Sequence, residues 1–277
     1  MAECDTCPSK NGCSKDEKNC MIENNPLNKV KKIIGVMSGK GGVGKSSISV
    51  LIAKHLKQLG YSVGILDADI TGPSIPRLLG LKENKVIAEG NTMLPVETDD
   101  GIKVISLNFL TENEDEPVIW RGPIISGVVT QFWKDVLWKE LDYLIIDMPP
   151  GTGDVALTVM QSIPINGVIM VSVPQDLVSM IVSKAVNMAR KMNINVLGVI
   201  ENMSYITCPD CGKKIKLFNG ESTDEFLKKM DLKLLGELPV LSSISNLSEY
   251  GYESANESLE LIFDPIVKNI IKELEKK

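Results

Sequence analysis

The fold is decided by residues 33–46, which read Ile-Ile-Gly-Val-Met-Ser-Gly-Lys-Gly-Gly-Val-Gly-Lys-Ser. The last eight fit the pattern G-x-x-x-x-G-K-[ST], whose glycines let backbone N–H groups converge on phosphate oxygens. An apolar strand leads into the pattern, and apolar residues at helical spacing follow it at positions 48, 51, 52 and 56. Strand, glycine-rich turn and helix in this order predict a phosphate-binding loop at a helix N-terminus.

The whole loop is expected to bind a nucleotide. Lys45 would reach the β- and γ-phosphates of ATP, and the Ser46 hydroxyl would bind Mg²⁺. The predicted nucleotide-binding residues of the loop are Gly39, Lys40, Gly41, Gly42, Val43, Gly44, Lys45, Ser46 and Ser47.

From about residue 30 onward, aliphatic strands alternate with amphipathic helices. The predicted strands are 32–37, 62–67, 102–107, 143–147, 167–173, 195–201 and 232–236. The predicted helices are 45–59, 124–138, 155–163, 177–192, 222–230 and 265–275. This alternation predicts an α/β fold with a doubly wound, mostly parallel sheet and helices on both faces.

Two parts of the chain depart from that alternation. Residues 1–28 hold four of the six cysteines and almost no aliphatic residues, so we interpret them as a cysteine-rich N-terminal tail. Residues 29–277 form the predicted P-loop ATPase domain. Within it, residues 205–219 interrupt the pattern with a Cys-x-x-Cys motif, which predicts a knuckle or hairpin inserted after a strand.

Carboxylates follow two of the predicted strands. Asp147 ends an apolar strand and is the expected Mg²⁺ ligand, and the glycine-rich residues 149–154 after it suit a sensor of the γ-phosphate. Asp67 and Asp69 end the second strand, at the edge of the sheet where ligands bind. One of them could position the attacking water, and capping of the loop is the alternative role for either.

The composition limits the cellular location and the partners that the protein can have. The 277 residues carry a net charge of −6, which argues against broad attraction to nucleic acid or an anionic membrane. No stretch approaches the ~20 apolar residues of a membrane span, and the N-terminus has no apolar signal-peptide core. We therefore expect a cytoplasmic protein with no nucleic-acid or membrane partner, whose cysteines are free thiols or metal ligands.

A second lysine in the loop, Lys40, gives this segment a resemblance to a known motif. With it, residues 39–46 resemble the deviant Walker A motif of the SIMIBI-class ATPases, which include MinD, ParA, the nitrogenase iron protein and the Mrp/ApbC/Nbp-type iron–sulfur carriers. The resemblance implies a homodimer in which Lys40 reaches the partner's nucleotide. It also implies that Asp69 positions the water, so Lys40, Lys45 and Asp69 are the expected catalytic residues.

The resemblance narrows to the Mrp/ApbC family of iron–sulfur cluster carrier ATPases, over about residues 30–262. Beyond the loop it is carried by residues 67–76 (DADITGPSIP), 120–123 (WRGP), 147–154 (DMPPGTGD), 201–204 (ENMS) and 208–211 (CPDC). It implies that Asn202 contacts the adenine and that the region around Pro239 packs against it.

Cys208 and Cys211 supply two thiolates, whereas a tetrahedral zinc site or a cubane cluster takes four ligands. The only histidine, His55, is expected on the surface of the first helix. The pair is therefore a redox motif, or two chains each donate a pair across a two-fold axis. The family resemblance implies the second arrangement, with a bridging 4Fe–4S cluster, and a zinc ion shared by two chains is the competitor.

The tail cysteines Cys4, Cys7, Cys13 and Cys20 are too densely spaced to be accidental. The first three resemble the last three ligands of the N-terminal cluster motif in Nbp-type carriers. That motif has its fourth cysteine upstream, whereas here Cys20 lies downstream. A tail cluster, a tail zinc and a redox-active set remain open for these residues.

The leading hypothesis is a slow homodimeric ATPase that holds a 4Fe–4S cluster and delivers it to apo iron–sulfur proteins, with ATP and Mg²⁺ as cofactors. The first alternative is a MinD- or ParA-like switch ATPase with a structural zinc. The second is an ATP-driven electron donor like the nitrogenase iron protein. The six cysteines favour the carrier over the switch, and the single Cys-x-x-Cys favours it over the donor.

Overall fold

The computed structural model of the chain describes residues 21–70, 72–90, 92–111, 122–177, 180–208, 210–216, 223–240 and 257–276. The four tail cysteines, at positions 4, 7, 13 and 20, lie outside the described residues. So do Trp120 and Arg121 of the WRGP block and much of the segment after the Cys-x-x-Cys hairpin.

The elements alternate along the chain as expected. The described strands are β1 (Lys29–Ser38), β2 (Val63–Asp67), β3 (Ile87–Glu89), β4 (Thr92–Leu94), β5 (Val96–Glu97), β6 (Lys103–Ile105), β7 (Glu140–Asp147), β8 (Gly167–Ser172), β9 (Val196–Thr207), β10 (Lys214–Lys216) and β11 (Leu234–Pro239). The described α-helices are α1 (Lys45–Gln58), α2 (Ile75–Leu78), α3 (Gly122–Lys134), α4 (Asp154–Ser162), α5 (Pro174–Leu177), α6 (Met180–Lys191), α7 (Thr223–Lys229) and α8 (Glu257–Glu275).

The central sheet has the order β10-β9-β8-β1-β7-β2-β6-β5, and β11 pairs with β9 as well. β1 runs parallel to both β7 and β8, and β2 runs parallel to both β7 and β6. Antiparallel pairs occur at the ends of this order, where β5 meets β6 and β10 meets β9. The mostly parallel sheet is therefore confirmed, whereas the small separate hairpin of β3 and β4 was not predicted.

Helices cover both faces of the sheet. One core cluster joins the sheet to α1 and α8, and the other joins it to α3, α4 and α6. β2 and β8 are buried along their whole lengths, which is why they are continuous aliphatic runs. Within the described part of the chain, no helix is both long enough and apolar enough to cross a bilayer.

The predicted start of the last helix at Pro265 was wrong. α8 begins at Glu257 and continues through Pro265, which faces solvent. A proline inside a helix costs about 3 kcal/mol. Burial of Phe263, Ile266 and Val267 on the same helix outweighs that cost, because each large apolar side chain contributes about 1.5–3 kcal/mol.

The expectation that His55 lies on the helix surface was also wrong. His55 is 5% exposed, and its ring lies 5.7 Å from that of Phe263 on α8. α1 is packed between the sheet and α8, so it is buried on two sides. Sequence periodicity predicted only the side that faces the sheet.

Candidate functional site

The glycine-rich loop joins β1 to α1 as predicted. The Ser38 hydroxyl donates to the carbonyl of Lys40 at 2.8 Å, which braces the start of the loop. Gly44 ends it with φ of 83°, in the left-handed region, and α1 follows directly. A side chain built on Gly41 or Gly42 would meet no atom of the described residues within 4 Å, so among these residues this part of the loop is open to a ligand.

Two carboxylates, from the end of β7 and from just after β2, meet two polar side chains at the end of this loop. The Lys45 ammonium lies 2.8 Å from Asp147 Oδ2 and 3.5 Å from Asp69 Oδ2. The Ser46 hydroxyl donates to the same Asp147 oxygen at 2.6 Å. Residues 45 and 147 thus meet across about a hundred residues of chain, in the arrangement expected for a Mg-ATP site.

Ser49, which the sequence reasoning did not single out, completes the surroundings of Asp147. Its hydroxyl donates to Asp147 Oδ1 at 2.7 Å. Asp147 is fully buried and receives bonds at both of its oxygens. Ser49 lies one turn beyond the loop on α1, so its spacing of four residues from Lys45 was the available signal.

The pKa and the contacts of Asp67, at the end of β2, differ from the contacts of Asp69, two residues later. Burial, followed by the charge of Asp147, raises the pKa of Asp67 well above its usual value. Asp67 accepts from the Ser106 hydroxyl at 3.0 Å and from the Asp69 backbone N–H at 3.2 Å, which is the loop-capping role. Asp69 instead faces the Lys45 ammonium and is 14% exposed, so it is the better placed of the two to meet a ligand.

Lys45 stays charged in this cluster. Burial alone lowers the pKa of Lys45, but the charges of Asp147 and Asp69 outweigh it, and the pKa is raised. A cation aligned on the loop provides the charge that phosphate oxygens require.

The site fits a magnesium ion held beside a phosphate chain. The Ser46 hydroxyl and the Asp147 carboxylate are hard oxygen donors that already approach one another, and Mg²⁺ prefers such ligands. When bound, the ion would neutralise phosphate charge. Ser46 and Asp147 would be its protein ligands, with the ammonium of Lys45 beside them.

Asn202 reaches the loop from β9. Its Nδ2 donates to the carbonyl of Val43 at 2.9 Å, and a side chain on Gly44 would overlap that nitrogen. Asn202 is 1% exposed, and its Oδ1 has no hydrogen-bond partner among the described residues. A buried acceptor without a partner is costly, so this oxygen fits a site that a donor on a ligand completes.

A bulge in β9 directs Asn202 onto the loop. Glu201 lies opposite Glu237 of β11, but the next pair is Tyr205 and Pro239, so three residues of β9 face one of β11. Met203, in the middle of the bulge, has φ of 54°. Such a conformation is uncommon for a residue other than glycine and persists where the surroundings impose it. No sequence signal identified this residue as strained.

The glycine-rich segment after Asp147 lies against the entrance of the loop. The Gly151 N–H donates to the carbonyl of Ser38 at 2.8 Å, and Met148 N–H donates to Val36 at 3.1 Å. The segment therefore shares hydrogen bonds with the strand that carries the phosphate loop. That contact suits the predicted γ-phosphate sensor.

Two other predicted residues have defined places. Lys40 is exposed on the loop. Pro239 is buried at the end of β11, on the strand next to Asn202. The structure thus brings Pro239 near the predicted adenine residue, while the roles of both Pro239 and Lys40 stay predictions.

The thiol pair lies on a hairpin, as predicted. β10 pairs antiparallel with the end of β9, and the turn is closed by bonds from Cys208 N–H to Lys213 and from Gly212 N–H to Cys208. Cys208 is half-buried and Cys211 is exposed, and both are free thiols. Backbone N–H groups of Cys211 and Asp210, and then the Cys211 side chain, lower the pKa of the Cys208 thiol.

The pair has no further metal ligands beside it in the part of the chain that the structure describes. Within those residues, no group of three or more His, Cys, Asp or Glu side chains could hold a metal ion. A four-ligand site at Cys208 and Cys211 therefore needs ligands from elsewhere. β9 joins this hairpin to the nucleotide loop, since Cys208 follows Asn202 by six residues and directly follows the end of β9 at Thr207.

The comparisons with known proteins agree with this architecture. An iron–sulfur cluster carrier protein of Clostridium perfringens is 48% identical over 282 residues, covering 95% of this chain and 99% of that protein. A solved nucleotide-binding protein from Archaeoglobus fulgidus, in complex with ADP, is 42% identical with a TM-score of 0.73, covering 84% of this chain and 92% of that one. MinD in the MinC:MinD complex of Aquifex aeolicus has a TM-score of 0.57 at 18% identity, over 89% of this chain and 96% of that one, which shows a shared fold.

The family model ParA, described as NUBPL iron-transfer P-loop NTPase, matches residues 29–275. That span includes the phosphate loop, the carboxylates of β2 and β7, the bulge of β9 and the thiol hairpin. The chain therefore belongs to the ParA family, which is described as NUBPL iron-transfer P-loop NTPase.

Proposed function

We propose that the chain is an ATP-hydrolysing carrier that holds a 4Fe–4S cluster as cargo between two copies of itself and delivers it to apo iron–sulfur proteins. The observation that carries this proposal is the single strand β9. It holds Asn202 against the phosphate loop, and Cys208, a free thiol, directly follows its last residue, Thr207. A nucleotide at Asn202 and a cargo at Cys208 would be connected through the second half of this strand.

The nucleotide half of the proposal is supported by the donors and acceptors at the loop. The unpartnered Oδ1 of Asn202 suits the exocyclic amine of adenine, with Pro239 packing against the ring. Lys45 would bind the β- and γ-phosphates, Asp69 would orient the water, and Lys40 would reach the partner's nucleotide. Mg²⁺ would bind at Ser46 and Asp147.

The cargo half is supported by the number and exposure of the thiols. One chain offers two cysteines at the hairpin, and a cubane cluster takes four. A two-fold axis through two hairpins would supply four from identical surfaces. Exposure of Cys211 leaves the cluster accessible to a recipient. The tail cysteines, at positions 4, 7, 13 and 20, would hold further iron, and reduced thiols of this kind belong in the cytoplasm.

Transfer would be driven by linkage between the two sites. If the nucleotide favours one arrangement of the two chains, and the cluster's ligands straddle the same interface, each ligand changes the affinity for the other. Hydrolysis would then reset the arrangement.

Anaerobic reconstitution tests the cargo site. A variant in which all four tail cysteines are changed to serine isolates the pair at the hairpin. We expect a brown dimer with about four iron and four sulfide ions per two chains, which restores activity to an apo 4Fe–4S enzyme. Cys208→Ala with Cys211→Ala in the same background should hold none. A colourless monomer or a zinc-only protein would refute the carrier and favour a switch ATPase with a structural zinc.

ATP hydrolysis tests the nucleotide site. Asp69→Asn should lower kcat by about a hundredfold or more, because positioning and proton transfer at the water are lost. Asp99→Asn, on an exposed turn, is the matched control and should hydrolyse ATP at the wild-type rate. Equal rates for the two variants would show that Asp69 has no part in the reaction.

A further inference from the structure

A groove of about 770 Å³ lies between α4 and α6, outside the nucleotide site and the thiol hairpin. Its apolar lining comes from Leu157 on α4, and from Met188 and Met192 on and just after α6. All three side chains are half-buried, so they pack on the core and still present surface to the groove. The groove therefore offers an apolar floor between two helices.

The rim of the groove is basic. Lys184, Arg190 and Lys191 line it, and none of the described residues that line it is acidic. Lys184, Met188 and Lys191 recur at helical spacing, so α6 presents cations and a methionine on one side. The chain as a whole has a net charge of −6, so this local positive charge is opposite to that of the protein.

The upper end of the groove is Thr152, in the glycine-rich segment that follows Asp147. The neighbouring Gly151 N–H donates to Ser38 at the entrance of the phosphate loop. An occupant of the groove therefore touches the segment that lies against the nucleotide site. Its binding and that of the nucleotide would be linked wherever both alter this segment.

The walls of the groove determine the shape of the occupant. α4 and α6 satisfy their backbone N–H and C=O groups internally, so an extended segment laid between them would gain no backbone hydrogen bonds from the groove. A helix carries its backbone bonds with it and packs between helices through its side chains. Methionine side chains adapt to different partner surfaces, which suits a carrier with several recipients.

We propose that this groove docks an acidic amphipathic helix of the recipient protein. The apolar side of that helix lies on Leu157, Met188 and Met192, and its carboxylates face Lys184 and Lys191. Docking there places the recipient against the nucleotide-linked segment, so that cluster delivery depends on the groove. This inference rests on the proposed carrier function, for which it names a contact surface of the recipient.

The test compares two charge-reversal variants of the cluster-loaded dimer. One is Lys184→Glu with Lys191→Glu. The control is Lys268→Glu with Lys272→Glu on α8, which packs on the opposite face of the sheet and undergoes the same change in net charge. The probe is the apo form of a 4Fe–4S protein of acidic net charge, and the measurement is the rate of cluster transfer at about 50 mM and about 500 mM salt.

We expect the groove variant to transfer about tenfold more slowly than wild type at low salt, since two attractive rim charges become repulsive toward an acidic partner. The difference should shrink at high salt because the charges are screened. Cluster loading, dimer fraction and basal ATP hydrolysis should match wild type in both variants, and the control should transfer at the wild-type rate.

Equal transfer by the groove variant and wild type would overturn the docking inference and leave the carrier function intact. Equal slowing of both variants would also overturn it, because net charge alone would then explain the effect. A lower dimer fraction in the groove variant would overturn it in favour of a second copy in the groove. A wild-type dimer that loads cluster but transfers none would overturn the carrier function and this inference together.

Discussion

The contact between Gly44 and Asn202 allows a quantitative prediction from three glycines of one loop. Gly41 has neither a left-handed backbone nor a neighbour within 4 Å of a built side chain. Gly42 has φ of 79° and open space, whereas Gly44 has φ of 83° and Asn202 Nδ2 in the place of its missing side chain. Alanine at Gly41 therefore adds no strain, and alanine at Gly42 adds backbone strain alone. Alanine at Gly44 adds backbone strain and an overlap with Asn202.

The expected costs follow in that order. Gly41→Ala should change the free energy of unfolding by less than about 0.5 kcal/mol. Gly42→Ala should cost about 1–2 kcal/mol, the penalty for an L-residue in the left-handed region. Gly44→Ala should cost about 2–3 kcal/mol, because displacing Asn202 also removes its hydrogen bond to Val43, worth about 1 kcal/mol.

Urea unfolding of the nucleotide-free protein measures the three values, with unchanged m-values as the condition for comparing them. Adding Asn202→Ala to Gly44→Ala should reduce the cost of the glycine change to that of Gly42→Ala, since the overlap is then gone. Nucleotide affinity should fall for Gly44→Ala and hold for Gly41→Ala. A Gly44→Ala cost equal to that of Gly42→Ala in the wild-type background would refute the proposed contact with Asn202.

Three further changes test other parts of the molecule. The raised pKa of Asp67 means that its contribution to stability is present below its unfolded pKa of 3.8 and is lost as pH rises through the folded pKa. Asp67→Asn should therefore be more stable than wild type at neutral pH in thermal unfolding. The difference in stability between the two proteins should close toward about pH 4, and a difference that stays constant with pH would contradict this. Met203→Gly should leave the free energy of unfolding unchanged or raise it by up to about 1 kcal/mol. Met203→Val should lower it by about 1–3 kcal/mol, since a β-branched residue resists positive φ. Equal stability of the two variants in urea would argue against the bulge. Deletion of residues 1–20 should reduce bound iron but spare basal ATP hydrolysis. The remaining chain is anchored at Ile22, whose backbone is hydrogen-bonded to Ser162 and Trp133. Loss of hydrolysis would make the tail part of the catalytic unit.

The sequence by itself determined the elements whose signals are local. Residues 39–46 predicted the turn between β1 and α1, because a phosphate loop needs glycines, a lysine and a hydroxyl at fixed spacing within a few residues. The aliphatic runs predicted the buried parallel strands, and Asp67 and Asp147 marked the ends of two of them. The Cys-x-x-Cys interruption likewise predicted the hairpin.

Tertiary structure decided what depends on partners distant in sequence. It gave Asp67 the hydrogen bonds of a loop cap and placed Asp69 beside Lys45, a difference that the residue types alone had left open. It buried His55 under a helix two hundred residues away and kept Pro265 inside that helix, against its local preference. It also formed the bulge at Met203 that sets Asn202 on the phosphate loop. Local propensity is worth a few kcal/mol at most, so packing between distant segments prevails wherever the two disagree.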